Sequence, residues 1–188
     1  MLFSDEFDAL AEGIEPGGLR NKADIKVLIC YLLKNVDAKI SREQIGNIIQ
    51  DQRIANYFET MDAISDLLQN GNITETVENE KEYLEITDLG RNAVSLVGKD
   101  LPKTIREKAL KTAVRFVTLD RNERENDVKI SPVEDGYSIS FSMTDGNTKL
   151  MELKMFVPDG AQAQALKDNF IEDPVRVYST ILASLMVD

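Results

Sequence analysis

Eight consecutive residues alternate without a break: Tyr137, Ile139, Phe141 and Met143 are apolar, while Ser138, Ser140, Ser142 and Thr144 carry hydroxyls. A period of two is the signature of a strand with one face buried and one face turned to water. Asp135-Gly136 precedes this stretch and Asp145-Gly146-Asn147 follows it, both turn-forming runs that place it between two hairpins. The preceding strand is predicted over Val128–Val133. The following one carries Met151, Leu153, Met155 and Val157 as its inward row. Asp159 is positioned to cap a helix reaching about Ile171, and Asp173-Pro174 opens a last helix ending near Met186. The predicted unit is a three-stranded antiparallel sheet with helices covering one face, an α+β arrangement. Its row of hydroxyls faces water, holds a small polar ligand, or meets a second sheet.

The last helix is apolar on more than one side, with Val175, Val177, Tyr178, Ile181, Leu182, Leu185 and Met186. So wide a stripe predicts burial against a partner as well as against its own sheet. A homodimer is therefore expected, with Tyr178, Ile181, Leu182 and Leu185 as candidate interface residues.

Upstream, a long helix is predicted over residues 102–125, opened by Pro102 and burying Ile105, Ala109, Ala113, Phe116 and Val117. Its other face gathers Lys108, Lys111 and Arg115, with Lys103 and Arg106 nearby. This is the one concentrated basic surface legible in the chain. It is either a solvated face that offsets acidic neighbours or a contact for nucleic acid.

The first hundred residues are organised differently. From Asn21 to Val36, Ile25, Leu28, Ile29, Leu32, Leu33 and Val36 form the stripe of an amphipathic helix. Cys30 lies beside that stripe and reads as a small hydrophobe. Ser41 and Gln44 predict a capping box for a second helix that buries Ile45, Ile48 and Ile49. A third helix begins near Asn56, where Asn56 and Glu59 repeat the pattern. It places Phe58, Met61, Ile64, Leu67 and Leu68 inward and stops at Gly71. Two short strands, Ile73–Val77 and Tyr83–Ile86, flank the turn Glu78-Asn79-Glu80-Lys81. Thr87-Asp88-Leu89-Gly90-Arg91 then opens a fourth helix through Ala93, Val94 and Val97. Glycine and proline around Gly98-Lys99-Asp100-Leu101-Pro102 suggest a boundary, giving domains over 1–98 and 99–188.

Three helices, a hairpin and a helix in this order match a winged helix-turn-helix. The run Tyr83-Leu84-Glu85-Ile86-Thr87-Asp88-Leu89-Gly90-Arg91 resembles the wing ending of bacterial winged-helix regulators. By that resemblance the third helix is the recognition helix and residues 73–86 are the wing. Charge argues the other way. The chain holds 22 Lys and Arg against 33 Asp and Glu, and residues 1–100 hold 10 against 19. With Phe58 and Met61 inward, the outward face of the third helix carries Asn56, Glu59, Asp62, Ala63 and Asp66, with no basic residue. Phosphate contacts supply most non-specific DNA affinity. The donors available are Arg42, Gln52, Arg53, Asn56 and Tyr57 at the helix corner and Lys81 on the wing, either solvated surface or DNA contacts. About three phosphate contacts per subunit is what this half offers.

Composition removes several chemistries. The chain has no histidine, no tryptophan and one cysteine, which excludes histidine acid–base catalysis, His/Cys zinc sites and an internal disulfide. Neither a phosphate-cradling glycine loop nor a calcium loop is present. No catalytic residue, metal or cofactor is therefore expected, and the chain is not read as an enzyme. No apolar run approaches the ~20 residues of a membrane span. The acidic start Met1-Leu2-Phe3-Ser4-Asp5 is unlike a signal peptide, so a cytoplasmic protein is expected.

Over nearly its whole length the chain resembles an uncharacterised Gram-positive bacterial family, domain of unknown function 4364. The resemblance rests on Pro16-Gly17-Gly18-Leu19-Arg20, Ile29-Cys30-Tyr31 and Ala55-Asn56-Tyr57-Phe58-Glu59. It continues through Arg121-Asn122-Glu123-Arg124-Glu125-Asn126, Val157-Pro158-Asp159, and Asn169-Phe170 to Asp173-Pro174. It implies a winged helix before a small α+β domain and a role in transcription, and brings no functional residues. Two readings follow: a dimeric DNA-binding regulator, or an acidic winged helix that binds a basic protein partner without touching DNA.

Overall fold

The computed structural model describes residues 18–78 and 80–186. Pro16 and Gly17 of the resemblance, Asn79 of the hairpin turn and the acidic first residues lie outside them. The fold is mixed α+β, with seven helices and two three-stranded antiparallel sheets among the described residues. The chain divides into two compact units, 1–117 and 118–188. The division falls inside a long helix rather than at the Gly98–Pro102 stretch, because the first half of that helix supplies core residues to the first unit.

In the first unit, helix α1 (Lys22–Asn35) begins where Asn21 Oδ1 accepts from the Ala23 N–H, and it buries Ile25, Leu28, Ile29, Leu32 and Leu33. Strand β1 (Ile40–Ser41) leads into α2 (Arg42–Asp51). The predicted capping box is present: Ser41 Oγ accepts from Gln44 N–H at 3.0 Å, and Gln44 Oε1 accepts from Ser41 N–H at 2.8 Å. Helix α3 (Tyr57–Gln69) follows a tight corner in which Arg53 adopts a φ of 49°. Asn56 caps α3, its Oδ1 accepting from the Phe58 N–H. The helix stops at Gln69, and just past its cap Gly71 takes a φ of 69°, which suits a residue without a Cβ.

Strands β2 (Ile73–Glu78) and β3 (Lys81–Ile86) form a tighter hairpin than the sequence suggests, with Glu78 paired to Lys81. β1 pairs with β3 through Ile40↔Leu84, which gives the order β1-β3-β2. Helix α4 (Asp88–Val97) starts at Thr87, which also ties the hairpin's base to the end of α3. Its Oγ1 lies 2.9 Å from the Asn72 carbonyl oxygen and 3.3 Å from the Gly90 N–H. A Cβ on Gly90 would sit 2.2 Å from that same Asn72 carbonyl. The Thr-x-x-Gly signature is thus a packing lock.

Helix α5 (Lys103–Glu125) inserts Ala109 and Ala113 into the first core. Beyond Val117 it belongs to the second unit and runs directly into β4 (Asn126–Val133). Asn122 Nδ2 donates to the Ile171 carbonyl at 2.8 Å, fastening this end of the helix. β4, β5 (Gly136–Asp145) and β6 (Thr148–Val157) form the predicted sheet in the order β4-β5-β6. Ile139, Phe141 and Val157 are buried with Ala163, Phe170 and Ile171 of helix α6 (Gly160–Glu172), and the Phe141 and Phe170 rings lie 4.9 Å apart. Asp159 caps α6 as expected, and Asp173 caps helix α7 (Pro174–Leu185) by accepting from the Arg176 N–H.

Candidate nucleic-acid interface

The candidate contacts converge on the first unit. Its helix α3 buries Thr60, Ala63, Ile64 and Leu67, so it is rotated from the phase expected above. Phe58 points outward, 80% exposed, and Ala63 points inward. Two apolar stripes compete on this helix, and the protein uses the one with smaller side chains because α3 packs closely against α1 and α2. The outward face then carries Phe58, Asp62, Ser65 and Gln69, with Met61 at its edge.

Of the helix's three carboxylates, Asp62 and Asp66 are paired. Lys22 pairs with Asp62 and, at 2.8 Å, with Asp66; Lys26 reaches Asp66 at 2.5 Å. These bonds hold the Lys22 ammonium above its ordinary range, Asp62 contributing most, and hold the Asp66 carboxyl below its own. The hairpin shows the same pattern. Arg42 Nε lies 3.2 Å from Glu75 and 3.4 Å from Glu82, and Lys39 pairs with Glu78 and, at 3.9 Å, with Glu85.

Three of the predicted contacts come together. Arg42, Tyr57 and Lys81 line a cleft of about 250 Å³, with Glu43, Met61 and Glu82, between the start of α2, the start of α3 and the hairpin tip. Tyr57 is stacked edge-on against Phe58, ring centroids 5.9 Å apart. A second group sits at the α2–α3 corner: Lys108 Nζ donates to the Gln52 backbone carbonyl at 3.2 Å, beside the exposed Arg53. The Gln52 side chain is occupied differently, donating to Asp51. Asn56 spends its side-chain oxygen on the cap. Lys111 and Arg115 are exposed farther along the face of α5 that carries Lys108. Sequence reasoning missed Phe58 and the lysines of α1. The lysine spacing, Lys22 to Lys26 with Asp62 to Asp66, is the signal that could have found the ion pairs, once α1 and α3 are known to be neighbours.

Elsewhere, burial pushes the Cys30 thiol up to about 11, which leaves it unreactive. Among the described residues no group of three or more His, Cys, Asp or Glu could hold a metal ion, and no helix is long and apolar enough to cross a membrane. The candidate dimer residues lie on α7, where Tyr178 and Ile181 are half-buried and Leu182 and Leu185 exposed.

No curated protein and no solved structure matches the chain. A family model described as Domain of unknown function (DUF4364) matches residues 25–185. The chain belongs to that family, DUF4364.

Proposed function

We propose that the chain is a winged-helix transcriptional regulator that binds duplex DNA as a homodimer. In this reading α3 is the recognition helix and the β2–β3 hairpin is the wing. The helix–strand–helix–helix–hairpin order, with β1 closing onto β3, supports the assignment. The observation that carries it is the neutralisation of Asp62 and Asp66 by Lys22 and Lys26. A recognition helix with Glu59, Asp62 and Asp66 all free would repel phosphates; with Asp62 and Asp66 already paired it presents a weaker field. Tyr57 at the start of α3 and Lys81 at the hairpin tip share one cleft, as a wing and a recognition helix on one duplex require. Arg53, Lys108 and Lys111 supply further phosphate contacts. The reading assigns no catalytic residue or cofactor and places the protein in the cytoplasm with the chromosome.

Fluorescence anisotropy on pooled genomic fragments, between 50 and 200 mM salt, tests it. Four phosphate contacts per protomer, from Arg53, Lys81, Lys108 and Lys111, give a log–log salt slope of about −3.6 per protomer, about a 150-fold loss across that range. Arg53→Ala and Lys81→Ala should each flatten the slope by about 0.9. An absence of binding at 50 mM salt overturns the reading.

A second reading has its own support. Phe58 stands exposed beside a cleft rimmed by Glu43, Glu80 and Glu82, a setting that suits a basic peptide with an apolar anchor. It predicts that Phe58→Ala abolishes capture of such a peptide and leaves any DNA affinity unchanged.

A further inference from the structure

The sheet of the second unit ends on β6. β6 hydrogen-bonds to β5 along one edge, and its other edge has no strand partner among the described residues. Open edges are normally blunted. β4, at the far side, carries Pro132, which has no N–H to offer a neighbour. β6 has no proline over its ten residues. It also leaves Leu150, Met155 and Phe156 exposed at 38%, 39% and 59%. The register shift in the β5–β6 pairing falls at its Leu150 end, so Met151–Val157 is regular.

The two faces of this strand are fixed by its pairing. Glu152 and Lys154 stand opposite Ser142 and Ser140 on the hydroxyl face, while Met151, Leu153 and Met155 stand opposite Met143, Phe141 and Ile139 on the helix-covered face. If a second copy adds its own β6 antiparallel about a two-fold axis normal to the sheet, opposed residues share a face. The axis must then pass through a residue position. An axis at Glu152 sets two Glu152 side chains against each other, and one at Lys154 does the same to two lysines. Axes at Met151 or Met155 set charged groups opposite apolar ones. An axis at Leu153 sets Glu152 opposite Lys154 of the second copy twice, and Met151 opposite Met155 of the second copy twice.

We infer that two copies of this chain join through β6 in the register centred on Leu153, forming a continuous six-stranded antiparallel sheet. The occupant is a second copy because the strand is complementary to itself in that one register, in charge and in apolar matching together. Lys154 makes no ion pair within its own chain among the described residues, while Glu152 is 2.7 Å from Lys149 and held ionised by it. This seam lies wholly within the second unit and does not rest on the nucleic-acid reading.

Sedimentation equilibrium of the full chain between about 1 and 100 μM, without DNA, tests it. The native chain should sediment at twice 21.1 kDa. Glu152→Lys opposes lysines to lysines, and Lys154→Glu opposes carboxylates to carboxylates. Each should raise the dimer dissociation constant at least about tenfold. Mixing the two variants in equal amounts restores both opposite-charge pairs, so a mixed dimer of native affinity should form; its recovery also shows that both variants fold. Three results overturn the inference: a native chain that stays monomeric, single variants that dimerise as tightly as the native chain, or a dimer indifferent to both reversals and lost with Leu182→Ser on α7.

Discussion

The first unit encloses Ile25, Leu28, Ile29, Leu32, Ile45, Ile48, Ile49 and Ile64 almost completely, drawing on every helix from α1 to α3 and on the sheet beside them. The second unit has longer strands but, among the described residues, a smaller apolar core of Ile139, Phe141, Val157, Ala163, Phe170 and Ile171, and it leaves Val175, Leu182 and Leu185 in water along α7 and Met186 just past its end. Hydrophobic burial is the main favourable term in folding. The first unit obtains it from its own chain. Both units keep apolar side chains in water, Phe58, Leu89 and Leu96 in the first among them, but the second has the smaller core behind a longer open strand edge. A closed core holds α3 and the hairpin in place, and the dimer proposed above would use the open sheet edge.

The largest test of this contrast is in the first core. Leu28 is fully buried, and Leu28→Ala should cost about 3–5 kcal/mol. Leu185, 78% exposed on α7, should change by no more than about 0.5 kcal/mol as Leu185→Ala when the protein is dilute enough to be monomeric. Urea denaturation at sub-micromolar concentration measures both. Similar losses at the two sites would break the distinction between a closed unit and an open one.

A smaller effect sharpens the phase of α3. With Phe58 outward, Phe58→Ala should move stability by less than about 0.5 kcal/mol. An inward Phe58, as the apolar spacing alone suggests, would cost about 3–5 kcal/mol. The same denaturation experiment distinguishes them by a margin well beyond its error.

Much of this architecture is legible from residue spacing. The Ser41–Gln44 box, the stripe of α1, the alternation of β5 and the caps at Asp159 and Asp173 are local features, and local rules are enough to read them. The phase of α3 is not local. Phe58, Met61, Ile64 and Leu68 form as good a helical stripe as Thr60, Ala63, Ile64 and Leu67. The choice is made by how closely α1 and α2 approach, which favours Ala63 and Thr60 at the contact. The site suffers more from the same cause. Arg42 reads as a free donor until the hairpin folds Glu75 and Glu82 against it, and Asp62 reads as a free acid until Lys22 arrives from forty residues upstream. A net charge counted along the chain says little about the field over one face, because pairing across elements rearranges it.

That pairing gives the smallest effect, and it is visible through pH. Asp66 has its folded-state pKa lowered by Lys22 and Lys26. Its stabilising contribution is therefore present above the unfolded carboxylate value, near 3.9, and is lost as pH falls through the lowered folded value. Lys22 is raised, chiefly by Asp62, so its contribution is present below the unfolded lysine value, near 10.4, and is lost as pH rises through the raised one. The α1–α3 seam is consequently fully paired across the neutral range and weakens at both ends. Asp66→Asn removes the acid limb alone, since Lys22 retains Asp62. Urea midpoints taken from pH 7 to 2.5 should fall less steeply below about pH 4 in Asp66→Asn than in the native chain. Both side chains are partly exposed, so the difference should be small and should shrink further in 0.5 M salt. Parallel curves would mean that Asp66 is free in solution, and the proposed neutralisation of the acidic face of α3 would fail with it.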